Sequence, residues 1–234
     1  MPTTAVIFDF FGTLTPSTPS AVWDRHAARS AAPLGIAADR WRRAFDESFT
    51  ERAVGALGDL EQTVRELARR CGTEADDAAV AAACAARTAA QRELFVPRDD
   101  ALPSLARLRA AGLPVGVLSD CTVELSEAWA SLPLAQAVDA RVLSCEEGRR
   151  KPDAELFRTI AGRLGARPED CLYVGDGGGD ELTGATRCGM TAYMLRAADW
   201  AANDAHGRED GWPGPFLGSL TEAVDLVVPA GRPA

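Results

Sequence analysis

At 234 residues, with 47% hydrophobic and 25% charged side chains, the chain is long enough for one substantial core and a smaller accessory unit. Its net charge of -9, from 34 acidic against 25 basic residues, argues against nucleic acid or an anionic membrane surface as the main partner. No apolar run approaches the length of a membrane span, and the run Ala5–Phe8 is too short for a signal peptide. None of the six cysteines forms a CxxC pair, so they are expected as reduced, half-buried thiols and the protein as cytoplasmic.

Ala5–Phe8 is a continuous β-rich apolar run, as expected for a strand covered on both faces. The same reading predicts strands at 114–118, 171–174 and 191–195, with a weaker signal at 140–143. Between them lie helical patterns over 101–111, 123–132, 154–164 and 181–188, with Gly112, Gly165 and Gly189 placed where helix-ending glycines belong. Strand and helix alternating in this way predict an α/β protein: a Rossmann-like parallel sheet with helices on both faces.

From Pro16 to Phe95 the alternation stops, and only helical patterns remain, at 40–52, 60–71 and 76–94. Trp41, Phe45 and Phe49, four residues apart, are expected to pack inside a helical unit rather than to stack on substrate. The predicted organisation is therefore a core domain of residues 1–15 and 96–234 and an inserted all-helical cap domain of residues 16–95. A last apolar segment, Leu220–Val228, is expected to dock on the sheet.

In an open parallel sheet, reactive groups collect beyond the carboxyl ends of the strands. The first strand leads into Asp9-Phe10-Phe11-Gly12-Thr13-Leu14, the second into Ser119-Asp120, and the third into Gly175-Asp176-Gly177-Gly178-Gly179-Asp180. Singly, these residues have ordinary roles: turn aspartates and serines, a flexible glycine loop, and a helix cap for Asp180. Lys151 is more telling. It is the only lysine among the 25 basic residues, so a position that refuses arginine points to a required compact ammonium. No GxGxxG spacing is present, and His26 and His206 have no ligand cluster for zinc. Cys121 borders the second strand end and reads as a buried spectator thiol.

Together the four segments, in this order and spacing, resemble the four motifs of the haloacid dehalogenase-like superfamily over nearly the whole chain. The resemblance implies Asp9 as a nucleophile that forms a covalent aspartyl intermediate. It implies Mg2+ held by Asp9, Asp176, Asp180 and the backbone carbonyl of Phe11, a hard cation among oxygen ligands. Ser119 and Lys151 would hold the substrate oxyanion, Lys151 would orient Asp9, and Thr13 would support the nucleophile loop. Gly12, Asp120 and Arg42 are further candidates for contact with a small anionic substrate. Arg43 and Arg52 join Arg42 as cap candidates, although each by itself reads as part of a solvated helix face.

One position departs from the phosphatase pattern. Those relatives carry a second aspartate two residues after the nucleophile, as a general acid, and here that residue is Phe11. The resemblance then leaves three readings open: a Mg2+-dependent phosphomonoesterase, a 2-haloacid dehalogenase-like carbon–halogen hydrolase, and a catalytically impaired protein that binds a phosphorylated ligand. Halide needs no proton on leaving, which suits Phe11, whereas Asp176 and Asp180 suit the metal-dependent reading. A Schiff-base mechanism fails, because residues 16–95 contain no lysine.

Overall fold

Side chains that alternate along a strand must be covered twice when the strand is central, and β1 (Ala5–Phe8) meets this demand with four fully buried residues. The computed structural model describes residues 3–200 and 207–228. Within them β1 is followed by β2 (Val115–Ser119), β3 (Ala140–Leu143), β4 (Cys171–Gly175), β5 (Thr191–Leu195) and β6 (Phe216–Leu217). All neighbouring strands pair in parallel, in the order β3-β2-β1-β4-β5-β6. The chain therefore runs outward from β1 to β3 and then returns to lay β4 on the other side of β1. That reversal opens a crevice between the carboxyl ends of β1 and β4, where Phe8 pairs with Val174.

Among the described residues twelve α-helices accompany the sheet: α1 (Ser20–Ala31), α2 (Ala38–Glu47), α3 (Phe49–Ala53), α4 (Leu60–Arg70), α5 (Asp77–Arg92), α6 (Ala101–Ala110), α7 (Val123–Ala128), α8 (Pro133–Ala137), α9 (Ser144–Glu147), α10 (Ala154–Arg163), α11 (Glu181–Arg187) and α12 (Leu220–Val227). Val6 and Phe8 of β1 pack with Leu105 and Leu108 of α6, Leu125 of α7 and Val224 of α12. Ala5 and Ile7 face the other way, onto Leu156, Phe157 and Ile160 of α10 and Leu182 of α11. Helices thus cover both faces of the sheet, and the expected tail segment is α12.

The helices between β1 and β2 have a core of their own, with Ala27, Trp41, Val64, Leu67, Val80 and Ala83 as members. Trp41 is fully buried, and its Nε1 donates to Ser30 Oγ at 2.9 Å. Asp59 and Gln62 close α4 with a reciprocal capping box. The helix expected over 40–52 is broken at Ser48, whose hydroxyl donates to the Phe45 carbonyl at 3.2 Å and so competes with the backbone ladder. The break turns Phe49 away from the core and towards the cavity described below. A second predicted helix, 123–132, ends at Ala128 and a 3-10 turn, because Leu132 precedes Pro133 and is forced extended.

A buried ion pair joins the inserted helices to the sheet layer. Arg87 of α5 donates to Glu124 of α7 at 2.7 Å, with side chains 6% and 4% exposed. Burial alone would raise the Glu124 pKa, but Arg87 and Arg52 outweigh it and bring the value down to about 2, from 4.5. A carboxyl depressed in this way contributes stability that is full above about pH 4.5 and lost as the pH falls towards 2, worth about 3 kcal/mol. Glu124→Gln is accordingly expected to be less stable than the parent at pH 7 by up to that amount. In denaturant titrations the gap should close as the pH is lowered towards 3; a gap independent of pH would show that the charge of Glu124 contributes nothing.

Candidate active site

The turn after β1 presents Asp9. Its N–H donates to the Val174 carbonyl at 2.9 Å, which anchors it at the mouth of the crevice. Gly12 follows at φ +74°, a left-handed conformation that costs glycine little, and lets the chain fold back under Asp9. Arg98 clamps this turn by donating to the carbonyls of Gly12 (2.8 Å) and Thr13 (2.9 Å). It also pairs with Asp199, which accepts from the Ser17 N–H, both at 2.7 Å. The strands of chain entering and leaving residues 16–95 are thereby tied to the turn.

Lys151 arrives from the loop before α10. Asp120 holds that loop with both oxygens: Oδ1 accepts from the Lys151 N–H at 2.8 Å, and Oδ2 from Arg150 Nε at 3.1 Å. The Lys151 ammonium then bridges Asp9 Oδ1 at 2.7 Å and Glu181 Oε2 at 2.5 Å. Glu181 is further satisfied by the Tyr173 hydroxyl at 2.7 Å and the Gly177 N–H at 2.9 Å. Its carboxylate lies so close to Gly175 that a β-carbon there would push it away from these partners. Asp176 accepts from the Gly178 N–H at 3.0 Å.

Carboxylate oxygens of Asp9, Asp176 and Glu181 lie within 4.8 Å of one another, and all three residues are buried. One ammonium faces three carboxylates, which leaves two negative charges in excess in a place water reaches poorly. Burial raises the Asp9 pKa well above the usual carboxyl range, and Glu181 and Asp176 push it further while Lys151 opposes them. Burial disfavours the Lys151 ammonium too, but Asp9 and Glu181 prevail and hold it protonated. The donor set is all oxygen, and its excess charge matches a divalent cation such as Mg2+.

Asp9, Lys151 and Asp176 thus meet as the motifs suggest, but the place expected for Asp180 is taken by Glu181. Gly177, Gly179 and Asp180 all have positive φ, and this left-handed turn leaves Asp180 exposed at the start of α11. The next residue then points inward with Leu182 and Ala185. That helical face was a readable signal for Glu181. Ser119 is buried, its hydroxyl donating to the Asp120 carbonyl at 3.4 Å. Thr13 is also buried, and its Oγ1 has no hydrogen-bond partner among the described residues.

Asp9, Phe11, Gly12, Asp120, Lys151 and Asp176 line a cavity of about 160 Å³. The inserted helices close it with Trp23, Arg42, Phe45, Phe49, Arg52 and Arg87. Phe45 and Phe49, expected only as packing residues, therefore also form cavity wall. Arg42 is held by Asp46 at 2.9 Å and Asp24 at 3.0 Å, and Arg43 points to solvent with Asp39. Cys121 reaches the cavity, but burial raises its thiol pKa well above the ordinary range, so it is a poor nucleophile. His26 lies against Glu93 at 3.3 Å, away from the acidic cluster, and His206 lies outside the described residues. Among the described residues no helix is long and apolar enough to cross a membrane.

A buried aspartate–lysine pair with two further carboxylates, at the crevice of a parallel sheet and under a helical insertion, defines a class of hydrolase. The family model for haloacid dehalogenase-like hydrolases matches residues 3–189, and the chain belongs to that family. It is 30% identical to a glyceraldehyde 3-phosphate phosphatase of Methanopyrus kandleri, over 88% of this chain and 89% of the relative. Among solved structures it resembles a haloacid dehalogenase-like phosphatase from Thermococcus onnurineus, with a TM-score of 0.62, 19% identity and coverage of 97% and 98% of the two chains. It resembles an L-2-haloacid dehalogenase from Xanthobacter autotrophicus as well, with a TM-score of 0.64, 20% identity and coverage of 98% and 100%. Phosphatase and dehalogenase share this fold equally, so the backbone alone does not choose between them.

Proposed function

We propose that this hydrolase is a Mg2+-dependent phosphomonoesterase acting on a small substrate, with Asp9 as nucleophile and residues 16–95 as its cap. The observation that carries the reading is the charge imbalance at the crevice: three buried carboxylates and one ammonium. The similarity to a glyceraldehyde 3-phosphate phosphatase supports the same chemistry. Asp9, Asp176, Glu181 and the Phe11 carbonyl are the proposed Mg2+ ligands, with Glu181 in the role expected of Asp180. Bound there, Mg2+ would neutralise the excess charge, keep Asp9 ionised and offset the charge of the phosphoryl oxygens.

In the first step an Asp9 oxygen attacks phosphorus and the ester P–O bond breaks, giving an aspartyl phosphate. Phe11 offers no proton, so the leaving oxygen takes one from water. Water then attacks the aspartyl phosphate, releases inorganic phosphate and restores Asp9. Lys151 orients Asp9 through its 2.7 Å bond and balances charge on the phosphoryl group, Ser119 would turn its hydroxyl from the Asp120 carbonyl to donate to a phosphoryl oxygen, and Thr13 supports the turn that carries Asp9. The cap limits water in the cavity during attack.

The test is hydrolysis of an activated aryl phosphate, whose leaving group needs no acid. Turnover is expected with Mg2+, to vanish when the metal is chelated, and to fall at least a thousandfold in Asp9→Asn, roughly as removal of a nucleophile does elsewhere. Turnover retained in Asp9→Asn would remove the nucleophile, and turnover retained with chelator would remove the metal. The second reading, carbon–halogen hydrolysis, is favoured by Phe11 alone, since a departing halide needs no proton. Halide release from 2-chloropropionate, undiminished by chelator, would establish it.

A further inference from the structure

Charge is unbalanced a second time, with the opposite sign, in the cap wall of the same cavity. Arg52 and Arg87 line it and are buried, 7% and 5% exposed, and so is Glu124 of α7, 6% exposed. Arg87 is paired with Glu124 at 2.7 Å. Arg52 contacts no carboxylate among the described residues. Its Nε donates to Ser48 Oγ at 3.1 Å and its Nη2 to the Phe45 carbonyl at 2.7 Å, both neutral acceptors. Asp46 lies nearby, but it is held by Arg42 and its side chain is 43% exposed, so solvent screens it. The buried trio therefore carries one net positive charge.

A buried cation that must share its nearest buried anion is costly: burial and Arg87 lower the Arg52 pKa to about 9, and Glu124, already bonded to Arg87, offsets only part of this. The Phe45 ring, 4.7 Å from the Arg52 guanidinium and 4.1 Å from that of Arg87, offsets part of it. A second observation points the same way. Gln91 is 4% exposed and lines the cavity, yet its side-chain amide makes no hydrogen bond among the described residues. A planar guanidinium and an amide donor facing one space suit a planar anion with two acceptor oxygens.

We infer that this end of the cavity is a carboxylate subsite, where Arg52 and Gln91 hold a carboxylate of the substrate while its phosphoryl group lies against Asp9. The inference rests on the phosphomonoesterase reading and narrows it to small phosphomonoesters of acids. A single excess positive charge matches a monoanion and would leave a second phosphate dianion uncompensated.

The test compares 3-phosphoglycerate with glycerol 3-phosphate, which share a three-carbon skeleton and differ in a carboxylate against a hydroxymethyl group. Binding to the Asp9→Asn protein in Mg2+ is read by calorimetry, and kcat/KM is read on the parent. A preference for the carboxylate of at least about tenfold is expected in both, as for a charge-assisted hydrogen bond. Arg52→Gln should bring the binding ratio to within about twofold of unity, Arg52→Lys should retain part of it, and Gln91→Leu should reduce it. Thermal melts identify variants that fail to fold, and the parent ratio needs no variant at all. Equal binding of the two compounds to a protein that hydrolyses both would overturn the subsite and leave the phosphatase reading intact. A preference untouched by Arg52→Gln in a folded protein would overturn it as well. Preferential binding without turnover of either compound would keep the subsite and remove the phosphatase reading.

Discussion

Replacing Lys151 with methionine is expected to abolish turnover and to destabilise the fold by about 3–5 kcal/mol, the usual cost of removing one partner from a buried ion pair. Lys151 is the sole ammonium among Asp9, Asp176 and Glu181, and it bonds two of them directly. Methionine fills a similar volume but leaves three buried carboxylates facing one another. With the ammonium gone, Asp9 is pushed still further above the usual carboxyl range. A group whose folded pKa is raised loses stability as the pH rises, so the deficit should be largest at pH 7 and shrink towards pH 5. Mg2+ should stabilise this variant more than the parent, since it restores balancing charge by binding the folded state. Urea titrations with and without Mg2+, at both pH values, measure all of this. Parent-like stability in metal-free buffer at pH 7 would show that Lys151 does not carry the charge balance. Lys151→Arg is expected to recover part of the stability and none of the turnover, because a planar fork cannot occupy the space of a compact ammonium.

Phe11→Asp is expected to gain activity at some cost in stability. General acid–base assistance is worth about 10²–10⁴-fold, and it matters most for a poor leaving group. The variant should therefore raise the ratio of alkyl to aryl phosphate turnover by up to that factor. The Phe11 ring packs against Phe10 at 4.9 Å and Phe95 at 6.1 Å and is only half-buried, so a loss of about 1–3 kcal/mol is expected and the fold should survive. Phe11→Asn supplies the control, because it loses the same packing and offers no acid. An aspartate variant no better than the asparagine variant on alkyl esters would show that something other than the missing proton limits the parent. Under the dehalogenase reading neither substitution should help.

Much of the fold is legible in the sequence, for reasons that are local. Ala5–Phe8, 171–174 and 191–195 announce buried strands because both faces of a central parallel strand must be apolar. The signal at 140–143 was weak because β3 is an edge strand with two half-exposed residues. A two-residue strand such as β6 has no periodicity to read, and it pairs only because Met194 and Leu195 lie beside it. Helix boundaries slipped where one side chain intervened, at Ser48 through its hydroxyl and at Leu132 through the proline after it.

The sequence by itself determined the parallel sheet, the helical insertion after the first strand, and the candidate trio Asp9, Lys151 and Asp176, because strand ends and composition are written in consecutive residues. Only the tertiary structure decided which acid completes the cluster, since the left-handed turn through Asp180 sends that residue out and brings Glu181 in. It also decided that Arg42 is neutralised, that Arg43 is solvated and that Arg52 is buried with no carboxylate bonded to it among the described residues. The physical reason is separation: Lys151 meets Asp9 across 142 residues, Arg98 meets Asp199 across 101 and Arg87 meets Glu124 across 37. Whether a charge is balanced depends on partners that folding alone brings together.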